Sequence, residues 1–135
     1  MFDERRRELR DGACDNVGRA DLPFKGANVA AYHDSWPYFA HRFGFTIDTF
    51  LEPKPGIPPS PSHLAEVIGK MKAQKSKAII VEPFHNRKIA EKVSASTGAK
   101  IVDAAHFPGA LPNTATYVAH IDALVTRFAA ALGGQ

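Results

Sequence analysis

Six side chains could do chemistry together: His33, Asp34, Glu52, Glu82, Asp103 and His106. Each follows an apolar run short enough to be a buried strand. Val29-Ala30-Ala31-Tyr32 leads into His33 and Asp34, and three further runs lead into Glu52, Glu82 and Asp103, with His106 a few residues beyond the last. In open parallel sheets the residues just past the C-terminal strand ends share a crevice. Two imidazoles and several carboxylates on one rim combine borderline and hard donors, a mixture suited to Zn²⁺ or Mn²⁺. Carboxylates at strand ends also cap neighbouring helices, and a lone histidine can simply close a turn, so spacing alone leaves both readings open.

Other chemistries lack their residues. There is no G-x-G-x-x-G or G-x-x-x-x-G-K-[ST] phosphate cradle and no G-x-S-x-G elbow. His33-Asp34-Ser35 has the residue types of a triad, but consecutive side chains do not aim at one another as nucleophile, base and orienter must. Neither catalytic residues nor an organic cofactor site are therefore expected, and an enzyme is not the reading. A nucleotide or sugar-phosphate enzyme would need the missing phosphate loop.

The elements that must position these groups follow from hydrophobic period. Strands are expected at 28–32, 46–51, 77–81 and 100–102, and a short helix at 36–43. Ser60 or Ser62 can cap a helix carrying Leu64, Val67, Ile68 and Met71 on one face. Asn86 is an N-cap candidate for a helix to about 96, with Gly98 suited to its C′ position. A closing helix over 114–132 should bury Tyr117, Ile121, Leu124, Val125 and Phe128. Between residues 52 and 61 five prolines forbid a central strand and make a fixed connector. Alternating strands and helices with short crossovers give the fold class: α/β, a single Rossmann-like lobe with a four-stranded parallel sheet flanked by helices.

With 135 residues, 44% hydrophobic and 23% charged, the chain suits one domain with a real core. The net charge of +3 is scattered, Arg5-Arg6-Arg7 being followed at once by Glu8, and no aromatic–basic interleaving is visible, so nucleic acid is not an expected partner. A single cysteine, Cys14, excludes an internal disulfide. No transmembrane stretch is visible, and Met1 is followed by Phe-Asp-Glu-Arg-Arg-Arg rather than an apolar signal region, which implies a cytoplasmic product if the chain is expressed as given.

Three segments carry a resemblance: Tyr32-His33-Asp34-Ser35-Trp36-Pro37-Tyr38-Phe39-Ala40-His41-Arg42-Phe43-Gly44, then Glu52-Pro53-Lys54-Pro55-Gly56-Ile57-Pro58-Pro59-Ser60, then Glu82-Pro83-Phe84. With the helix over 117–132, they resemble the C-terminal lobe of the zinc/manganese-type ABC-transporter solute-binding proteins, over about residues 24–132. The resemblance implies two α/β lobes joined by a long helix, with one metal ion held between them by two side chains from each. It implies a periplasmic protein that binds zinc, with manganese the alternative, and works with an ABC-transporter permease.

His33 stands where the family's third ligand stands. The fourth is usually an aspartate two or three residues before a glycine; aligning on Gly109 puts His106 there, and Asp103, nearer the strand end, is the competing choice. The family offers no ligand role for His85. His41 and His63 are expected to be solvent-facing or half-buried, and His120 to pack.

The resemblance further divides the chain into residues 1–24, the end of the inter-lobe helix with its connection, and residues 25–135, the metal-binding lobe. The charged segment over 2–10 would be the end of that helix. An N-terminal lobe, an export signal and the His-rich loop of some zinc importers are absent from this sequence, so a fragment, a truncated gene or one part of a split pair is expected. The surface toward the missing lobe, or toward a second copy in a homodimer, should expose apolar groups around Trp36, Pro37, Phe84 and Phe107. The alternative is a truncated lobe that serves only as a protein–protein module with a vestigial metal site. Either way His33 and His106 should approach one another on the rim, and the proline-dense loop should sit beside His33.

Overall fold

A computed structural model describes residues 26–133. The proposed end of the inter-lobe helix, its connection and Cys14 lie outside the described residues. Four strands and four helices alternate: β1 (Asn28–Ala31), α1 (Pro37–Phe43), β2 (Thr46–Phe50), α2 (Pro61–Gln74), β3 (Ala78–Val81), α3 (Arg87–Thr97), β4 (Lys100–Asp103) and α4 (Tyr117–Gly133). The sheet is parallel throughout, in the order β2-β1-β3-β4. The α/β class with a four-stranded parallel sheet is thus observed.

Both sheet faces are covered, which is why the strands are apolar runs rather than alternating ones. Val29 and Ala31 of β1 and Ala78 and Ile80 of β3 join the core under α1 and α4, with Phe43, Leu124, Val125 and Phe128. The intervening residues Ala30, Ile79 and Val81 point to the other core with Val67 and Met71 of α2 and Ala90 and Val93 of α3. β1 and β3 are central, and the chain leaves β1 toward β2 on one side and places β3 on the other. The crevice of this topological switch point lies where Tyr32-His33 and Glu82 emerge.

Local signals mostly act as their chemistry dictates. Ser60 accepts from the N–H of His63 at 3.2 Å and so caps α2. Gly98 ends α3 at φ 78° with its N–H on Ser94. Asn86 occupies the N-cap position of α3 but makes no side-chain cap hydrogen bond.

Two burial expectations are corrected. α4 begins at Tyr117 rather than 114, because Thr114 turns its hydroxyl onto the carbonyl of Leu111 at 2.6 Å and closes a loop, which leaves Tyr117 67% exposed. Trp36 is buried, not part of an exposed apolar surface, because its indole N–H finds a partner inside. Pro37, Phe84 and Phe107 are exposed as expected.

Candidate metal centre

The rim is built on carboxylates that hold imidazoles. Glu52, just past β2, accepts a hydrogen bond from Nδ1 of His33, just past β1. Its second oxygen accepts from the N–H of Gly56 at 2.7 Å, where a positive φ of 78° turns the proline-dense loop back over the rim. The loop closes on itself through Lys54 and Ile57. It therefore sits beside His33, as expected. Burial alone would raise the Glu52 carboxyl; the His33 hydrogen bond, the Gly56 N–H and nearby imidazole charge outweigh it and hold that carboxyl below its ordinary value. Because a carboxylate only accepts, the His33 proton belongs on Nδ1, and Nε2 carries the lone pair a metal needs.

Glu82, past β3, is fully buried and serves three groups. Its Oε1 accepts from Trp36 Nε1 and from His106 Nε2, both at 2.9 Å. Its Oε2 lies 2.6 Å from Nδ1 of His85, off the direction of a well-formed hydrogen bond, so that this oxygen lacks an aligned donor. A bare nitrogen would repel a carboxylate at that distance, which puts the proton on Nδ1; the 3.4 Å contact of the Glu82 N–H to the same nitrogen is too long to decide otherwise. Burial pushes the His85 imidazole below its usual value against the pull of the Glu82 and Glu52 charges.

His85 is the residue that sequence reasoning underrated. It stacks on Tyr32 with centroids 4.3 Å apart and stands 6.2 Å from His33, so His33 and His106 are linked through His85 and Glu82. A histidine three residues after a strand-end glutamate was its only sequence signal. Asp103 takes another role, pairing with Arg87 at the start of α3. His41 is exposed, His63 is half-buried and within 3.3 Å of the Phe50 carbonyl, and His120 lies on the buried face of α4. Among the described residues no three His, Cys, Asp or Glu side chains form a ready-made metal site. The rim's pairs are chained rather than convergent.

The family model described as zinc-uptake complex component A, periplasmic, matches residues 16–131. The chain belongs to that family. No curated protein sequence matches it. Among solved structures, the solute-binding protein FpvC of Pseudomonas aeruginosa in complex with Mn²⁺ is 25% identical, with a TM-score of 0.70 over 95% of this chain and 48% of that one. The laminin-binding protein Lmb of Streptococcus agalactiae, described as having adhesin and metal-transporting activity, shares the fold at 24% identity and TM-score 0.71, over 97% of this chain and 49% of its own. A crystal structure of ZnuA shares it at 21% and 0.67, over 95% and 46%. This chain therefore spans about half the length of these proteins. No helix among its described residues is long and apolar enough to cross a membrane.

Proposed function

We propose that this chain is the C-terminal, metal-holding lobe of a periplasmic receptor that passes a divalent transition-metal ion, zinc first and manganese second, to an ABC-transporter permease. It acts by coordination and delivery rather than by catalysis. The observation that carries this reading is His33: its Nδ1 is committed to Glu52 while Nε2 stays free at the switch-point rim. Metal-ligating histidines are oriented in this way, by an outer carboxylate that fixes the tautomer and raises ligand basicity. His106, whose Nε2 rests on Glu82, offers Nδ1 as the second donor, with Asp103 as the competing choice. The metal is cargo. Its remaining ligands come from an N-terminal lobe or from a second copy meeting rim to rim.

Two protein donors leave the other positions to water, so the lobe should bind Zn²⁺ weakly, in contrast to a closed four-ligand site. Calorimetry on the full chain, held below any association range, is the test. Weak binding lost in His33→Ala, with the fold intact by circular dichroism, is expected; nanomolar affinity that survives His33→Ala would sink the ligand assignment.

A pairing module with a vestigial metal site is the second reading, favoured by Phe84 at 70% and Phe107 at 58% exposure beside the rim. Measuring mass during the zinc titration separates the two, since the module needs association without metal affinity. Zinc-dependent dimerisation that His33→Ala abolishes supports the receptor lobe.

A further inference from the structure

We propose that His85 is a metal ligand of this rim and that His33 and His85, not His33 and His106, form the donor pair the lobe presents first. The inference rests on the receptor reading and names a residue to which the family resemblance gives no role.

Three observations carry it. The first is a repeated arrangement. His33 turns Nδ1 to Glu52 in a hydrogen bond and His85 sets Nδ1 2.6 Å from Glu82, though off the hydrogen-bond direction, so each ring has a carboxylate at Nδ1 and keeps Nε2 for an ion. His106 is turned the other way, its Nε2 held by Glu82. The second is distance. Zn–N bonds of ~2.0–2.1 Å place the centres of two imidazoles on one tetrahedral ion roughly 5 Å apart. The His33 and His85 centroids are 6.2 Å apart with their planes tilted 44°. A gap of about 1 Å lies within the reach of small side-chain rotations and the usual bond-length tolerance. The third is access and preorganisation. A cleft of about 210 Å³ opens between the proline-dense loop and the start of α3, lined by Tyr32, Glu52, Gly56, Phe84 and His85. Tyr32 stacked on one side and Phe84 edge-on at 4.6 Å restrict the His85 ring while leaving it at the cleft.

The test titrates the full chain with Co²⁺, followed by ligand-field absorption, and with Zn²⁺ by calorimetry, for wild type, His33→Ala, His85→Phe, His85→Gln and His106→Ala. His85→Phe keeps an aromatic ring against Tyr32, and circular dichroism checks each fold. Both His85 variants should weaken metal binding as much as His33→Ala, by roughly tenfold or more, since even outer-sphere partners act on that scale. His106→Ala should weaken it less, and the Co²⁺ spectrum should change in both His85 variants. Wild-type affinity in His85→Phe and His85→Gln, beside a loss in His33→Ala, overturns the role of His85 and leaves the receptor reading standing. A wild-type chain that binds neither ion overturns both.

Discussion

Glu82 and Asp103 end neighbouring strands, in register one residue apart, yet they do opposite work. Glu82 follows β3 at the centre of the sheet, is sealed from solvent, and is surrounded by an indole N–H and two imidazoles. Asp103 closes edge strand β4, is 39% exposed, and spends its charge on the Arg87 guanidinium, itself 51% exposed. That hydrogen bond and ion pair raise the Arg87 pKa above its ordinary value. The difference follows from position in the sheet. A central strand delivers its terminal residue into the switch-point crevice, where only other side chains can satisfy it; an edge strand delivers it to water and to the nearest helix.

The largest expected effect comes from breaking the central carboxylate. Glu82→Leu fills the space but leaves the Trp36 and His106 N–H groups without an acceptor, at a cost of about 2–3 kcal/mol. For a domain of this size that should lower Tm by roughly 10 °C or more in thermal denaturation followed by circular dichroism. Glu82→Gln keeps one acceptor oxygen and should fall between. If Glu82→Leu melts no lower than Asp103→Leu, the contrast between central and edge carboxylates is wrong.

That contrast marks how far the sequence is legible. Strand ends, the Ser60 cap, the Gly98 stop and the four-stranded parallel class rest on periods and turn chemistry local to a few residues, and the structure agrees to within one to three positions at each boundary. Placing His33 and Glu82 on one rim follows from those ends plus the rule for parallel sheets. The partners themselves were not legible. Trp36 reaches Glu82 across 46 residues and His106 reaches it across 24, and no period encodes which of several strand-end acids is turned inward. Trp36 was expected outside for the same reason: its apolar bulk is visible in the sequence, but the acceptor that lets its N–H be buried is not. Tyr117 erred in the other direction, because its helical spacing says nothing of the Thr114 turn that delays α4.

A smaller effect should come from the buried imidazole that lacks such a carboxylate. His120 is 2% exposed, and its Nδ1 has no hydrogen-bond partner. Burial lowers its pKa from the ordinary 6.5, the Ala105 backbone hydrogen bond opposes this, and His106 adds to it. A base whose folded pKa is depressed protonates first in the unfolded chain, so the stability it supports is present above about 6.5 and declines as pH falls from there toward the folded value. Urea denaturation at pH 7.5, 6.5 and 5.5 should show that decline, and His120→Gln should flatten part of it. An unchanged slope would mean that the His120 Nδ1 is paired or hydrated when folded, removing the distinction between imidazoles with and without a buried carboxylate.

The smallest effect should come from the edge. Asp103→Asn removes a charge from a pair that water already screens, and exposed ion pairs contribute about 0.2–1 kcal/mol, so denaturation should shift little. The same variant asks a sharper question of the rim, because Asp103 competes with His106 as the aspartate-type ligand that the family resemblance implies. To ligate, Asp103 would have to leave Arg87, which is held by both Asp103 and Glu91 at the first turn of α3. Zinc affinity measured by calorimetry should therefore be unchanged in Asp103→Asn. A loss on the order of tenfold, the scale of a ligand or its outer partner, at unchanged stability would make the edge carboxylate part of the site after all. Glu82 and Asp103 would then share one function from two positions, and burial in the switch-point crevice would no longer separate them.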